Sequence, residues 1–408
     1  MNFLFAWRYF KSKKSTNAVN IIAYISIVAI MVGTIALILV LSVFNGFESL
    51  VKNLYSDFYA DAKIIPTTGK ILYFNTEQIN TIQQDKQVAY VSFVVEEKAL
   101  LKNGDYQSTV IVKGVDNNYS AVSGVPNHIV RGSFNTGTTD APQIVIGGGI
   151  ENAVGIYIGA EYLVLPTLYL PNKKALNFTN LNDAFFSFNV LPSGVFNIQQ
   201  EFDNKFIFTN ISFLQFMLDM DNSQYSYAVL KLHAKSDREA KKITEQLQKK
   251  LGNQFIIQTR YEQNKSLYSI MQIEKWVIYG ILSLILVVAA FNMIGSLTML
   301  VLEKQKDIAI LKAMGATDNT IQYIFISNGL ILALIGSSIG IALASFICWL
   351  QIKFKLLKLG GSFVVDYYPV EMRLQDFVLV ILTVFIVLFI ASYIPASKAG
   401  KQKLSLKS

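Results

Sequence analysis

The sequence predicts an α-helical membrane protein with four transmembrane helices and a large mixed α/β extracytoplasmic domain inserted between helices 1 and 2. The composition is the first reason, because 52% of the 408 residues are hydrophobic and only 16% are charged, whereas soluble domains contain about 25% charged residues. The second reason is that four long uncharged runs interrupt the chain. A simple soluble enzyme is therefore not expected.

The uncharged runs locate the four spans. They lie between Lys14 and Glu48, Lys275 and Glu303, Asp318 and Lys353, and Asp376 and Lys398. A helix needs about 20 apolar residues to cross the hydrocarbon core once. We place the spans at Ile21–Phe44, Trp276–Leu302, Tyr323–Leu350 and Phe377–Ile394, after an amphipathic N-terminal segment at 1–20. The first run is too long for a cleavable signal peptide and no small-x-small site follows it, so a retained anchor is expected.

Charges beside the spans predict the orientation. Both ends of the chain are basic and contain no acid, with Arg8, Lys11, Lys13, Lys14, Lys398, Lys401, Lys403 and Lys407. Basic residues collect on the cytoplasmic side. We therefore expect the termini, the loop at 303–319 and the tail at 395–408 in the cytoplasm, and residues 45–275 and 351–376 outside it. The net charge of +8 is then a topology signal, and no nucleic-acid partner is predicted.

The domain at 45–275 contains two local turn signals. Lys98–Asn103 and Tyr106–Val115 flank Asn103-Gly104-Asp105, a sequence typical of a tight β-hairpin. Gly147-Gly148-Gly149 follows the strand-like segment Gln143–Ile146. Such a turn can cradle phosphate, but no Lys-Ser or Lys-Thr follows, so a plain strand-to-helix turn is favoured.

A β-α-β unit is predicted near the end of this domain. Tyr225–Leu232 has the pattern of a strand, and Ser236-Asp237-Arg238-Glu239 matches a capping box. The helix that follows reaches Leu251 and ends at Gly252. Gln254–Thr259 is the second strand.

The stretch from Pro166 to Asn182 is irregular, and we interpret it as a loop or a long hairpin. Pro166, Pro171, Lys173 and Lys174 are its candidate partner-contact residues, because exposed excursions from a rigid scaffold often bind partners. A solvated connection without any partner is the alternative.

The sequence offers no catalytic or metal site. Cys348 is the one cysteine, and His128 and His233 stand alone, so neither a disulfide within the chain nor a zinc cluster is expected. No G-x-x-x-x-G-K-[ST], G-x-S-x-G or H-E-x-x-H motif occurs. We expect that the chain is not an enzyme and holds no cofactor of its own, and that any ATP-binding machinery lies on another chain.

The segment at 303–317 predicts a short amphipathic helix that Gly315 ends. Apolar residues at 308, 311 and 314–315 share one side, and charged residues occupy the other. Because acids and lysines balance, a protein groove is favoured over a lipid surface. The residues expected to couple this helix to a cytosolic motor are Glu303, Lys304, Lys306, Asp307, Ile308, Leu311, Lys312, Met314 and Gly315. A charged or bulky replacement of Leu311 or Gly315 should uncouple the two.

Helix packing is predicted from two further features. Gly336, Gly340 and Ala344 form a small-xxx-small series in the third span, which lets helices approach closely. Whether the neighbouring helix belongs to the same chain or to a second copy is open at this point. Asn292 in the second span is a polar group that should face protein.

Several stretches resemble a known family. Glu303-Lys304 and Ile308-Ala309-Ile310-Leu311-Lys312-Ala313-Met314-Gly315-Ala316 are similar to the coupling helix of ABC-transporter permeases of the FtsX/MacB type. Others resemble the lipoprotein-releasing (Lol) permeases: Trp7-Arg8-Tyr9, Ser42-Val43-Phe44-Asn45-Gly46-Phe47-Glu48, Val112-Lys113-Gly114-Val115-Asp116, Glu262-Gln263-Asn264-Lys265 and Glu274-Lys275. The resemblance covers nearly the whole chain and is weakest over 160–185 and the last dozen residues.

The resemblance implies a permease of the bacterial inner membrane, with one span, a MacB-like periplasmic domain with Porter-like and Sabre-like parts, and three further spans. It implies a cytosolic ABC ATPase that binds ATP and Mg, and a second permease copy or a paralogue. Such a complex lifts an acylated lipoprotein out of membrane lipid in the outer leaflet and releases it to a periplasmic chaperone. Related permeases that signal to a cell-wall hydrolase, or that drive efflux through an adaptor and an outer-membrane channel, are the alternatives.

Overall fold

The computed structural model describes residues 17–159, 165–172, 185–359, 365 and 367–401. The chain divides into two compact units, which we call the membrane unit (Met1–Leu50 and Ser269–Ser408) and the large domain (Val51–Tyr268).

Helices and strands alternate through the large domain, and long helices form the membrane unit. The helices are α1 Asn17–Phe58, α2 Thr76–Gln83, α3 Tyr119–Val122, α4 Gly148–Val154, α5 Gln200–Asp203, α6 Ile211–Met217, α7 Asp237–Leu251, α8 Arg260–Gln263, α9 Lys265–Glu303, α10 Gln305–Ala313, α11 Asp318–Phe354 and α12 Leu374–Gly400. The strands are β1 Ala62–Pro66, β2 Leu72–Tyr73, β3 Val88–Asn103, β4 Tyr106–Val115, β5 Ile129–Gly132, β6 Gln143–Gly147, β7 Thr167–Pro171, β8 Phe185–Asn189, β9 Leu191–Phe196, β10 Phe206–Asn210, β11 Gln224–Tyr225, β12 Tyr227–Leu232 and β13 Phe255–Thr259.

Four of the described helices, α1, α9, α11 and α12, are long and apolar enough to cross a membrane. Each contains one of the predicted spans and continues beyond it, most of all α1, which passes Phe44 and ends at Phe58. The reason is that charged residues end the apolar run without breaking the helix, so an uncharged run marks the membrane-crossing part and not the helix ends.

Small residues bring the membrane helices together. A methyl group on Gly33 of α1 would lie 2.9 Å from Leu286 of α9, and one on Gly336 of α11 would lie 2.9 Å from Ile30 of α1. A methyl group on Gly329 of α11 would lie 2.6 Å from Ser392 of α12. The helices share a buried apolar cluster that includes residues of all four, so the membrane unit has its own core.

An eleven-stranded mixed sheet organises the large domain, in the order β13-β1-β12-β3-β4-β10-β6-β9-β5, with β7 on β3 and β8 on β7. The long strand β3 pairs with β12 through its first half and with β4 and β7 through its second half. It therefore connects two buried clusters, one beneath α2 and α7 and one beneath α4 and α6.

The local predictions for this domain are confirmed in their main features. Asn103 pairs with Tyr106 across a two-residue turn, and Gly104 takes the positive φ of 57° that such a turn requires. The glycine run at 147–149 joins β6 to α4, as a strand-to-helix turn.

The β-α-β unit differs from its prediction in two details. β12 and β13 run in the same direction, but β1 lies between them and pairs antiparallel with both. The Ser236 hydroxyl caps α7 by accepting from the Glu239 backbone amide. The Glu239 carboxylate accepts from the backbone amide of Lys235 and not from that of Ser236. Only half of the predicted capping box forms.

The irregular stretch after Pro166 contains regular structure. Thr167–Pro171 forms β7, which pairs antiparallel with Phe185–Asn189. Pro166 precedes this strand and accepts the Val190 amide at 2.9 Å. The predicted long hairpin is therefore confirmed at its base, while Lys173 and Lys174 lie outside the described residues.

Candidate functional site

The coupling segment, residues 303–317, begins as a direct continuation of α9. Only a turn at Lys304 separates α9 from α10, and the Lys304 amide still donates to the Leu300 carbonyl at 3.0 Å. α10 ends at Ala313, and Gly315 follows with a φ of 91°. The predicted glycine stop is confirmed, since this conformation is unfavourable for other residues.

Lysine side chains hold the coupling segment in place. The Lys312 ammonium donates to the carbonyl oxygen of Gly400, the last residue of α12, at 2.7 Å, and pairs with Asp318, the first residue of α11, at 2.8 Å. Lys304 pairs with Asp307 at 3.1 Å. The cation at one helix end and the acid at another suit the two helix dipoles. Lys312 thus joins α10 to the membrane helices α11 and α12.

The apolar residues of the coupling segment divide into two groups. Ile308 is buried in the apolar cluster of the membrane helices, but Ile310 and Met314 are 58% and 71% exposed. The predicted single apolar side is therefore wrong, because the helix ends before Met314 and Ile308 faces inward. The exposed apolar side chains, with part of Leu311, form the surface that is open to a partner.

A second constellation, which we call the polar cluster, joins α1, α9 and α12 within the membrane unit. Asn45 is fully buried, and its amide donates to Asp376 at 2.5 Å. Its oxygen accepts from Lys275 at 2.9 Å, and Lys275 also pairs with Asp376 at 2.9 Å. The three side chains form a closed triangle between α1, α9 and α12.

Arg373 extends the polar cluster. Its guanidinium binds Glu48 at 2.7 Å, Glu371 at 2.9 Å and the Ser49 hydroxyl at 3.1 Å. Ser49 also donates to Glu371. These bonds fix the segment before α12 against the end of the first span.

Close backbone contact explains why residue 46, beside the polar cluster, is a glycine. A methyl group on Gly46 would lie closer than 3.0 Å to the Pro369 carbonyl oxygen and the Val370 nitrogen. The Glu371 amide donates to the Ser42 carbonyl at 2.9 Å, and Tyr368 meets Phe47 edge to face. Each of Ser42, Asn45, Gly46, Phe47 and Glu48 thus has a contact with the segment at 368–376.

The stretch from Ser42 to Glu48 resembles the Lol permeases, but no structural role was predicted for it from the sequence. Lys275 and Asp376 limit two of the uncharged runs, and their contact with each other was not predicted. A signal was present, because two opposite charges adjoin spans on the same predicted side of the membrane, where a pair is favourable.

The predicted packing residues have different outcomes. A methyl group on Gly336 or Gly340 would meet Ile30 or Thr34 of α1, each at 2.9 Å, so their neighbour is in the same chain. Ala344 is fully buried. Asn292 is exposed on α9 in this single chain, so its expected contact with protein stays a prediction.

Comparisons with known proteins agree with this architecture. The model of the MacB-like periplasmic core domain matches residues 23–250, and that of the FtsX-like permease C-terminal region matches 279–404. The chain is 26% identical to the lipoprotein-releasing system transmembrane protein LolC of Xylella fastidiosa, over 97% of this chain and 95% of that protein. It is also 26% identical to LolE of Haemophilus influenzae, over 98% and 97%.

Among solved structures, the periplasmic region of MacB from Actinobacillus actinomycetemcomitans is 15% identical, with a TM-score of 0.36, and the match covers 54% of this chain and 98% of that one. The family models cover both the large domain and the last three membrane helices. The chain belongs to the family of membrane proteins with a MacB-like periplasmic core domain, here followed by an FtsX-like permease region.

Proposed function

We propose that this chain is the permease subunit of an ABC-type complex that extracts acylated lipoproteins from the outer leaflet of the inner membrane and releases them to a periplasmic chaperone. The observation that carries the proposal is the similarity to lipoprotein-releasing transmembrane proteins over nearly the full length of both chains. In this proposal both termini and the coupling segment are cytoplasmic, and a second permease copy or a paralogue completes the membrane part.

The ATPase is proposed as a separate cytosolic subunit that binds ATP and Mg. Its docking surface on this chain is the coupling segment, where Ile310 and Met314 are exposed while Lys304 and Lys312 are engaged within the chain. Exposed apolar side chains beside satisfied charges suit an apolar groove on a protein partner. Because α10 continues α9 and is bound to α11 and α12 through Lys312, a displacement of the coupling segment acts on three membrane helices together.

The test is reconstitution of lipoprotein release. Proteoliposomes holding the complex and a labelled lipoprotein are given ATP and the periplasmic chaperone, and soluble lipoprotein is measured. Ile310→Asp and Met314→Asp should lower ATP-driven release at least tenfold, because a charge opposes burial in an apolar groove. Gln305→Asp is the matched control, since Gln305 is an exposed residue of the same helix and its variant should release normally.

Two results would refute the proposal. Outer-membrane lipoproteins that remain correctly sorted after depletion of the protein would exclude the transport role. Purification in mild detergent that recovers a cell-wall hydrolase, or an efflux adaptor, in place of a lipoprotein would favour one of the other FtsX/MacB-type activities.

A further inference from the structure

The large domain contains a cavity of about 200 Å³ that the proposed transport function does not use. It lies among the end of α1, the strands β1, β3, β4 and β12, and the short helix α3. Two lysines and one glutamate face it, Lys63, Lys113 and Glu96, and aromatic rings including Phe58, Tyr119 and Tyr227 form its walls.

The charges in this cavity do not balance. The Lys113 ammonium is buried and lies 3.7 Å from Glu96, the one carboxylate within ion-pair distance among the described residues. The same carboxylate oxygen already accepts the Tyr227 hydroxyl at 2.6 Å. The Lys63 ammonium lies over the Tyr227 ring at 3.6 Å. Two ammonium groups thus share one carboxylate, and the cavity carries an excess of one positive charge.

Aromatic faces compensate the lysines only in part. The Lys113 ammonium lies 4.3 Å from the centre of the Phe58 ring and 4.4 Å from that of Phe206, which favours a cation but replaces little of its lost hydration. Burial accordingly lowers the pKa of Lys113 to about 8, against the opposing effect of Glu96. Burial also lowers the pKa of Lys63. An anion in the cavity would supply the missing partner.

We propose that this cavity is a binding site for a phosphate-type oxyanion, held by charge-assisted hydrogen bonds from Lys63 and Lys113. A compact ammonium is a common phosphate ligand in proteins. The volume is several times that of one water molecule, about 30 Å³, which is enough for a phosphate group with some water. The anion belongs either to free phosphate or to a lipid headgroup, and the experiment below separates these sources.

The site touches one end of a long helix. Phe58 is the last residue of α1, and its ring both faces the Lys113 ammonium and stacks on Phe202 at 4.0 Å between ring centres. An anion bound by Lys113 therefore lies beside Phe58 and the aromatic stack that this ring forms within the large domain.

The groups facing Lys113 and Lys63 define how binding should depend on pH. They are Glu96 from β3, Tyr227 from β12, Tyr119 from α3 and Tyr59 after α1. Burial raises the pKa values of the three tyrosines, so these side chains stay neutral where Lys113 loses its proton. Phosphate affinity should fall as the pH rises through about 8.

The first experiment is calorimetric titration of the full-length protein in detergent with inorganic phosphate. We expect saturable binding at pH 7, at least tenfold weaker in Lys113→Met and in Lys63→Met and weaker at pH 9. Lys102→Met, a change at an exposed lysine of β3, is the matched control and should bind normally. Glu96→Gln should shift the loss of binding to a lower pH, because Glu96 raises the pKa of Lys113 and its removal lets burial lower that pKa further. A merely structural role for these residues would not move this pH dependence, and thermal melts confirm folding.

The second experiment tests the lipid source by native mass spectrometry of the protein with phosphatidylglycerol. Lipid binding that both lysine variants lose, without binding of inorganic phosphate, supports the site and assigns it to a headgroup. Binding of inorganic phosphate lost in the same variants supports it and assigns it to the free ion. No binding of either probe, or binding equal in the wild type and in Lys63→Met/Lys113→Met, would overturn the proposal.

Discussion

The triangle of Asn45, Lys275 and Asp376 allows a quantitative prediction for Asp376→Asn. The carboxylate now accepts from Asn45 at 2.5 Å and pairs with Lys275 at 2.9 Å. The new amide keeps one acceptor for Lys275, but its NH₂ group must then face the NH₂ group of Asn45. Lys275 loses its counter-charge while three-quarters of its side chain stays covered.

Loss of one partner of a buried ion pair costs about 3–5 kcal/mol. The side chains of Lys275 and Asp376 are 27% and 13% exposed, so solvent compensates part of the loss and we expect the lower value, about 3 kcal/mol. Lys275→Met should cost less, because Asp376 keeps its hydrogen bond from Asn45. The double variant should be more stable than the sum of the two single changes predicts, by about 2 kcal/mol.

The assay is unfolding of the purified protein in mixed micelles by increasing SDS, read by circular dichroism. The four forms, wild type, two single variants and the double variant, give the coupling free energy directly. Lys306→Met, a change at an exposed lysine of α10, serves as the control and should change the free energy of unfolding by less than about 0.5 kcal/mol. Additivity of the two single changes within about 0.5 kcal/mol would show that Lys275 and Asp376 do not interact.

Three further outcomes are expected. Gly46→Ala should destabilise the membrane unit by about 3 kcal/mol in the same SDS assay, because the methyl group meets backbone atoms. Gly280→Ala, whose methyl group meets nothing within 4 Å, should not destabilise it. Equal effects of the two variants would contradict the contact at Gly46. Burial raises the pKa of Asp203 to about 6. Its contribution to the free energy of unfolding is therefore present below about pH 4 and is lost as the pH rises through 6, by about 3 kcal/mol in total. Hydrogen exchange of β6 and β10 should show this pH dependence, and Asp203→Asn should remove it. Asn292→Leu should leave the free energy of unfolding within about 0.5 kcal/mol of wild type, since the side chain is exposed, and a larger loss would show that it is packed.

The sequence predicted what depends on neighbouring residues. The hairpin at Gly104 and the helix stop at Gly315 each follow from one backbone conformation that glycine adopts readily, and the spans follow from uncharged runs. These features need no knowledge of distant parts of the chain. The position of β1 between β12 and β13 could not be obtained in this way, because its partners lie more than 160 residues further along the chain.

The polar cluster shows the same limit within the site. Asn45 and Asp376 are 331 residues apart, and Asn45 and Lys275 are 230 apart, so no local pattern reports their contact. Lys113 is a second case. It lies in a strand with sheet neighbours on both sides, β3 and β10, and its burial depends on rings from α1 and β10 that come together only in the folded domain.

The two constellations of the membrane unit act on overlapping sets of helices. At one end, the coupling segment continues α9 and is bound through Lys312 to α11 and α12. At the other end, the polar cluster binds α9 and α12 to α1. α9 and α12 take part at both ends, and between the ends they share an apolar cluster with α1 and α11. The spans between the two ends carry no charge, so no relay of ion pairs can connect them. A displacement of α10 would therefore reach α1 through whole helices and through the tight contacts of Gly33 and Gly336. Such a connected set of packed helices and ion pairs suits the function proposed above, in which a cytosolic ATPase displaces the coupling segment.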